Sequence, residues 1–470
     1  MPGYDETPQE QLPPLPTRNR SFLRFLGTQA LGAFNDNVFK QLVLLLSLGY
    51  IAAGTEFQTV VQFLFALPFL IFSGFAGDLS DRFSKGSLMV ACKVAEIGVM
   101  VLGLLVFATM VVDTSGEVPS YLWLLAIVTF LMGTQSAFFG PPKYGGLPEL
   151  VRERDLSRAT GLTQMTTFFA IILGVALAGW LLDEFSDRLW LPGGLAVLIA
   201  VAGTWMSLGI ARRPPSDPDR RLTARSFVSI WPTLRDAFRH DRLLFDILLV
   251  YSWFWLVGGV VLQSLNVYGR LQLGFNNFET SLLVSTMSIG IAIGSIAVAR
   301  LSKDKVRLKL IVPGLIAMVT LLILFVAIPV HAPTGPELER FAELKNAPRE
   351  VQDSVELIPQ AGTGPIVAAV LLSLLLGASA GFYSVPLLAF IQARPDAADK
   401  GQVFASANWL NWVFILGSSA VYGTGMSWTS MRASLLLPGL GLLTLVVLPW
   451  PMLKIFRRLH RERPDFVALS

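Results

Sequence analysis

Within the apolar run "LGAFNDNVFKQLVLLL", Leu31 to Leu46, four polar residues stand inside six positions: Asn35, Asp36, Asn37 and Lys40. A carboxylate at the centre of a bilayer costs about 2.5 to 3.5 kcal/mol on insertion scales, so it is expected to face a bundle interior or a wet cavity. Asp36 and Lys40 are four apart with the acid first, the better order for a same-face helical ion pair. Two readings are open. In one, a self-neutralised pair and two amides glue this segment to its neighbours by interhelical hydrogen bonds. In the other, the four residues form the polar mid-membrane site that a transporter requires, and the density of polar groups favours this second reading.

A second cluster, "FFGPPKYGGLPEL", runs from Phe138 to Leu150. Pro141 and Pro142 are expected to break a helix and Gly145 and Gly146 to permit a tight turn. Lys143 and Tyr144 would then place a cation beside an amphipathic ring at head-group level, suited to a phosphate. The alternative is a helix end whose lysine snorkels to the interface. A third cluster, "GDLSDRFSK", contains Gly77, Asp81, Arg82 and Lys85. Gly77 would allow close helix approach, and Asp81, Arg82 and Lys85 would form a charged latch that opens when two halves rock, or only a solvated loop that sets topology. Gln62, Gln135, Gln164, Gln263, Asn266, Asn408 and Asn411 are weaker candidates for lining a pathway. Trp253, Trp255, Trp409 and Trp412 suit an acyl-chain path or plain packing.

The elements that must position these residues are membrane helices. Of 470 residues 53% are apolar and only 15% charged, with a mean hydropathy of +0.58. Runs of about 20 apolar residues, the length that spans the hydrocarbon core, recur twelve times, at 22–50, 57–76, 87–112, 120–140, 160–182, 190–210, 243–269, 279–299, 308–330, 365–391, 403–424 and 433–453. The expected fold is therefore an all-α polytopic membrane protein. Most of the 37 basic residues fall in alternate loops once the first tail is placed inside, which puts both termini in the cytoplasm. Arg188, Arg270, Arg340, Lys345, Arg349 and Arg432 are the outer exceptions. The sequence pI of 9.2 thus reflects topology and contact with anionic membrane lipids, not nucleic acid.

A basic, Pro-rich stretch divides the spans six and six. The domains expected are a cytoplasmic tail (1–21), an N-terminal six-helix half (22–211), a linker (212–242), a C-terminal half (243–453) with a long outer loop (332–364), and a basic tail (454–470). A short amphipathic helix is expected across Glu337 to Glu343. The two halves repeat: "GTQSAFFGPPKYGGLPELVRERD" aligns without gaps on "GASAGFYSVPLLAFIQARPDAAD", pairing Gly133 with Gly377, Phe138 with Phe382, Pro142 with Pro386 and Asp155 with Asp399, and carrying Gln164 onto Asn408. "DLSDRFSK" aligns likewise on "RLSKDKVR" from Arg300.

The third cluster resembles the loop signature of the major facilitator superfamily, matching at Gly77, Leu79, Asp81, Arg82 and Lys85 and departing at Ser84 and Gly86. "FLGTQALGAFNDNVFKQ", "GPPKYGGLPEL" and "GFYSVPLLAFIQ" resemble the lysophospholipid transporter (LplT) family and the transporter halves of its acyltransferase fusions. The resemblance implies two six-helix halves that move lysophospholipids by alternating access from the outer to the inner leaflet of the cell inner membrane, with reacylation there by a separate acyltransferase. It places the family's first-span acid on Asp36 with Asn37, and its "KYG" on Lys143, Tyr144 and Gly145. The family's basic residue on span seven has no counterpart among Leu262, Gln263 and Asn266, a role that Lys40 is expected to take over.

No enzyme chemistry is expected. No phosphate-binding "GxxxxGK" occurs, and Cys92 is the only cysteine. No cofactor or metal is called for. The rival functions are a proton-coupled exporter of amphipathic small molecules and a non-transporting membrane anchor for a separate acyltransferase.

Overall fold

A computed structural model describes residues 11–13, 19–47, 57–109, 120–152, 155–219, 221–223, 226, 230–302, 307–332, 334–337, 359–394, 400–429 and 432–462. The described residues form helices and connecting turns. They are α1 (Arg20–Ser47), α2 (Phe57–Arg82), α3 (Lys85–Thr109), α4 (Ser120–Leu150), α5 (Leu156–Glu184), α6 (Trp190–Ser207), a short α7 (Ile230–His240), α8 (Arg242–Val267), α9 (Asn277–Ser302), α10 (Ile311–Leu324), α11 (Thr363–Ala393), α12 (Lys400–Trp428), α13 (Ala433–Val447) and α14 (Pro449–Glu462).

Among the described residues, ten helical stretches are long and apolar enough to cross a membrane, α13 and α14 counting together. The polar groups of α1 and α12 keep these two, of 28 and 29 residues, outside that set although their length suffices. The chain divides into two compact units, residues 1–47 with 64–229 and residues 48–63 with 230–470. In the first unit α1 packs on α4, α5 and α6, and α3 on α4 and α6. In the second, α11 packs on α8, α9 and α10, and α12 on α7 and α8.

With lipid replacing water, tight helix contact comes from small residues rather than from hydrophobic collapse. The pair α9 and α11 shows this most clearly: a Cβ added at Gly290, Gly294, Gly377 or Gly381 would run into the backbone of the facing helix. Gly133 of α4, which the repeat pairs with Gly377, meets the backbone of Phe65 on α2 in the same manner.

Two local expectations are corrected. The "PPKYGG" segment is neither a break nor a turn, because α4 continues through Pro141, Pro142 and Pro148 to Leu150. Proline removes a hydrogen bond and crowds the preceding turn, yet membrane helices tolerate it where neighbours and local adjustment satisfy the freed carbonyls. Gly77 serves no close approach, since a Cβ there would meet nothing within 4 Å. Gly86, a departure from the signature, is the crowded one, its Cβ position lying 2.7 Å from the carbonyl oxygen of Ala211.

α8 ends in a π-helical turn, Tyr268–Gln272, after which Gly274 takes φ 70°, a left-handed conformation that costs glycine little. Most of the segment expected to form the outer-loop helix, and the signature's counterpart at 303–306, lie outside the described residues. At the loop's start Glu337 accepts from the Thr334 amide at 2.7 Å, the Thr334 hydroxyl at 2.8 Å and the His331 ring at 3.0 Å. These bonds pull its carboxyl down to about 2.

Candidate functional site

The polar run of α1 is shared among its neighbours residue by residue. Asn35 is fully buried and donates from Nδ2 to Glu96 Oε1 of α3 at 3.0 Å. One position on, and so about 100° round the helix, Asp36 meets α4, where Ser136 donates its hydroxyl to Asp36 Oδ2 at 2.7 Å. The same hydroxyl lies 3.1 Å from Gln135 Oε1. Its single proton serves the shorter, charge-assisted contact. Asp36 Oδ1 is buried and has no hydrogen-bond partner among the described residues.

Asn37 turns back on its own helix, donating to the Ala33 carbonyl at 2.7 Å. Lys40 lies with its ammonium 5.0 Å from the centre of the Phe65 ring, a cation–π contact. The ion pair expected between Asp36 and Lys40 is therefore not the arrangement. The two charges remain within electrostatic reach, but Ser136 bonds the acid and Phe65 faces the base. An i,i+4 spacing permits a pair without compelling one, and the side chains of α4 and α2 offer other partners.

The charges to which sequence reading gave no role lie on α3. Lys93 and Glu96 form an ion pair, each about 1% exposed, in a stretch otherwise made of small and apolar residues. Two charged residues three apart in an apolar span were the available signal. A second missed partner is Glu149 near the end of α4, whose carboxylate takes Lys85 at 2.5 Å. Lys85 also donates to Ser216 at 2.7 Å. Its stem runs along Gly145 and Gly146, where a Cβ would sit 3.1 and 3.4 Å from the nearest atoms of Lys85 and Met89, so these glycines make room rather than a turn.

The remaining candidates are placed as follows. Lys143 is half-buried beside Tyr144, the two in cation–π contact at 5.3 Å with the ring 62% exposed. Arg82 lies 5.6 Å from the centre of the Phe83 ring, and the Asp81 carbonyl accepts from the Asp217 amide at 2.9 Å. In the second unit Gln263 is fully buried and bonds the Gly259 carbonyl of its own helix, while Asn408 is exposed. Asn411 takes the Ser252 hydroxyl at 2.9 Å, and Asn266 donates to Gln58 at 3.3 Å. Trp253 is a packing residue, its indole bonded to Thr444 at 3.2 Å. The side chain of Gln164 lies outside the described residues. The charged constellation thus assembles from α1, α3 and α4 of the first unit, with Lys143 apart from it at the far end of α4.

The Major Facilitator Superfamily model matches residues 22–418. The lysophospholipid transporter LplT of Klebsiella pneumoniae (strain 342) is 28% identical over 422 residues, covering 87% of this chain and 89% of that protein. The protein of the same name from Yersinia enterocolitica is 26% identical over 406 residues, covering 85% and 86%. Among solved structures, a POT family transporter in complex with 5-aminolevulinic acid aligns with a TM-score of 0.65 at 12% identity, covering 95% of this chain and 99% of that one. The nucleoside transporter NupG aligns at 0.60 and 11% identity, covering 94% and 100%. At such identities the structures speak for the fold alone, and it is the same fold in each. With a family match across most of its length, this chain belongs to the Major Facilitator Superfamily.

Proposed function

We propose that the chain is a lysophospholipid transporter that carries its substrate across the cell inner membrane, from the outer to the inner leaflet, by alternating access. The observation that supports this reading is the polar group that Asp36 and Lys40 of α1 form with Ser136 of α4, in a chain whose relatives over most of its length are named lysophospholipid transporters. Asp36 Oδ1 is an acceptor with no hydrogen-bond partner among the described residues, available to a donor on the lipid head group. Lys40 supplies a cation one turn away on the same helix. The glycerophosphate of a lysophospholipid offers both complements, a hydroxyl donor and a phosphate acceptor.

Lys143 and Tyr144 stand at the end of α4 that the charge bias assigns to the cytoplasm, where the lipid phosphate would arrive on release. Both termini lie on that side, and a separate acyltransferase there would consume the product. Lysophospholipid uptake into vesicles of known protein orientation, resolved by leaflet, tests the reading. Protein-dependent movement to the inner leaflet is the expected result. Movement that requires an imposed proton gradient would favour the exporter of amphipathic molecules, and no movement would favour the anchor.

A further inference from the structure

Four helices enclose one ion pair in the first unit. The Lys93 ammonium bonds Glu96 Oε2 one turn along α3. Gly32 of α1 leaves room for the ammonium, a Cβ there lying 3.0 Å from Nζ, and Gly203 of α6 leaves room for the stem, a Cβ there lying 2.8 Å from Cε. Thr204 of α6 donates to the Lys93 carbonyl at 2.9 Å, and Phe139 of α4 stands 6.0 Å from the ammonium.

Stability does not explain such a pair, because well-packed apolar side chains in place of a buried ion pair are often neutral or stabilising. The polar contact that leads out of it is more informative. With Oε2 held by Lys93, Glu96 presents Oε1 to Asn35, the residue beside Asp36. Asn35 held toward α3 turns the next residue toward α4, where Ser136 meets it.

We propose that the Lys93–Glu96 pair is a positioning device that fixes the rotation of α1 about its axis, and so the direction in which Asp36 is presented. Glu96 is the contact to α1, and Lys93 aims the carboxylate and balances its charge. The inference rests on the reading of Asp36 as part of the transport site, and it assigns the pair no contact with substrate.

Two double variants separate positioning from packing and from charge. Lys93→Met/Glu96→Gln removes both charges but keeps a carbonyl oxygen for Asn35. Lys93→Met/Glu96→Leu removes both charges and the acceptor. In proteoliposomes supplied with palmitoyl lysophosphatidylethanolamine, the Gln variant is expected within about threefold of the unsubstituted protein. The Leu variant is expected to lose at least tenfold in Vmax/KM, chiefly through KM, at the same membrane level and melting temperature. Equal transport by both variants, high or low, overturns the proposal, as does misfolding of the Leu variant alone.

A readout independent of transport keeps the two readings apart. In a Cys92→Ser background, the alkylation rate of Asn37→Cys reports the rotation of α1. The Leu variant should change that rate at least threefold and the Gln variant should not, whether or not the protein moves lipid. An unchanged rate in both sinks the positioning role, whereas changed alkylation with no lipid movement by the unsubstituted protein sinks only the transport reading.

Discussion

Lys85 at the first position of α3 is ion-paired with Glu149, next to last in α4, at 2.5 Å, with the lysine side chain 7% exposed and the glutamate 27%. The pair ties two helix ends together beside the signature loop. Its other placed contact, Ser216, belongs to the same unit.

Breaking one partner leaves a largely buried ammonium without its counter-charge, whereas removing both leaves none. Glu149→Ala is therefore expected to lower the melting temperature in detergent more than Lys85→Ala/Glu149→Ala does. The coupling from the full mutant cycle should be about 1 to 2 kcal/mol. Additive single effects would mean that the two side chains act separately.

Asp36→Asn should reduce lysophospholipid transport at least tenfold without lowering the amount of protein in the membrane, because losing a charge lowers the cost of insertion. Ser136→Ala should cost about tenfold, since a hydrogen bond to a charged group contributes about 1.5 to 3 kcal/mol. Initial uptake rates normalised to protein check both, and wild-type rates in Asp36→Asn would return the residue to the role of interhelical glue.

Lys143→Ala should weaken uptake of phosphate-bearing lysolipids, and Lys143→Arg should restore part of it. A lysine that only anchors the helix end would tolerate either change, given Arg152 nearby. Equal loss on a lysophospholipid and on an uncharged monoacylglycerol would exclude phosphate recognition.

Glu337, in the segment that follows α10, has its carboxyl held near 2 by the Thr334 amide and hydroxyl and by His331. A depressed acid stabilises its fold fully above its ordinary value of about 4.5 and loses that contribution as pH falls toward 2. The Thr334 amide resonance should stay fixed down to about pH 4 and shift only below it. A midpoint near the ordinary glutamate value would mean that the cap does not hold in solution.

What the sequence disclosed depended on how local each signal is. A helix of membrane length is written in some twenty consecutive residues, so the helices could be read one by one, α1 included as a helix despite Asp36 and Lys40. The course of α4 through Pro141 and Pro142 could not, because the loss at a proline is local while its compensation comes from neighbouring helices. Asp36 was legible as a costly residue, but Ser136 lies 100 residues away and carries no mark that sets it apart from other hydroxyls. Lys93 and Glu96 were visible as charges. Their meaning depends on Gly32 and Gly203, which only the packing of α1, α3 and α6 brings beside them.

The glycines that join α9 to α11 set a mechanical limit on that part of the second unit. Where backbone rests on backbone there are no intervening rotamers to rearrange and little empty volume to compress. The two helices therefore behave as one strut. A change in bilayer thickness will tilt them together rather than slide one past the other, and any motion within the unit must find its give elsewhere.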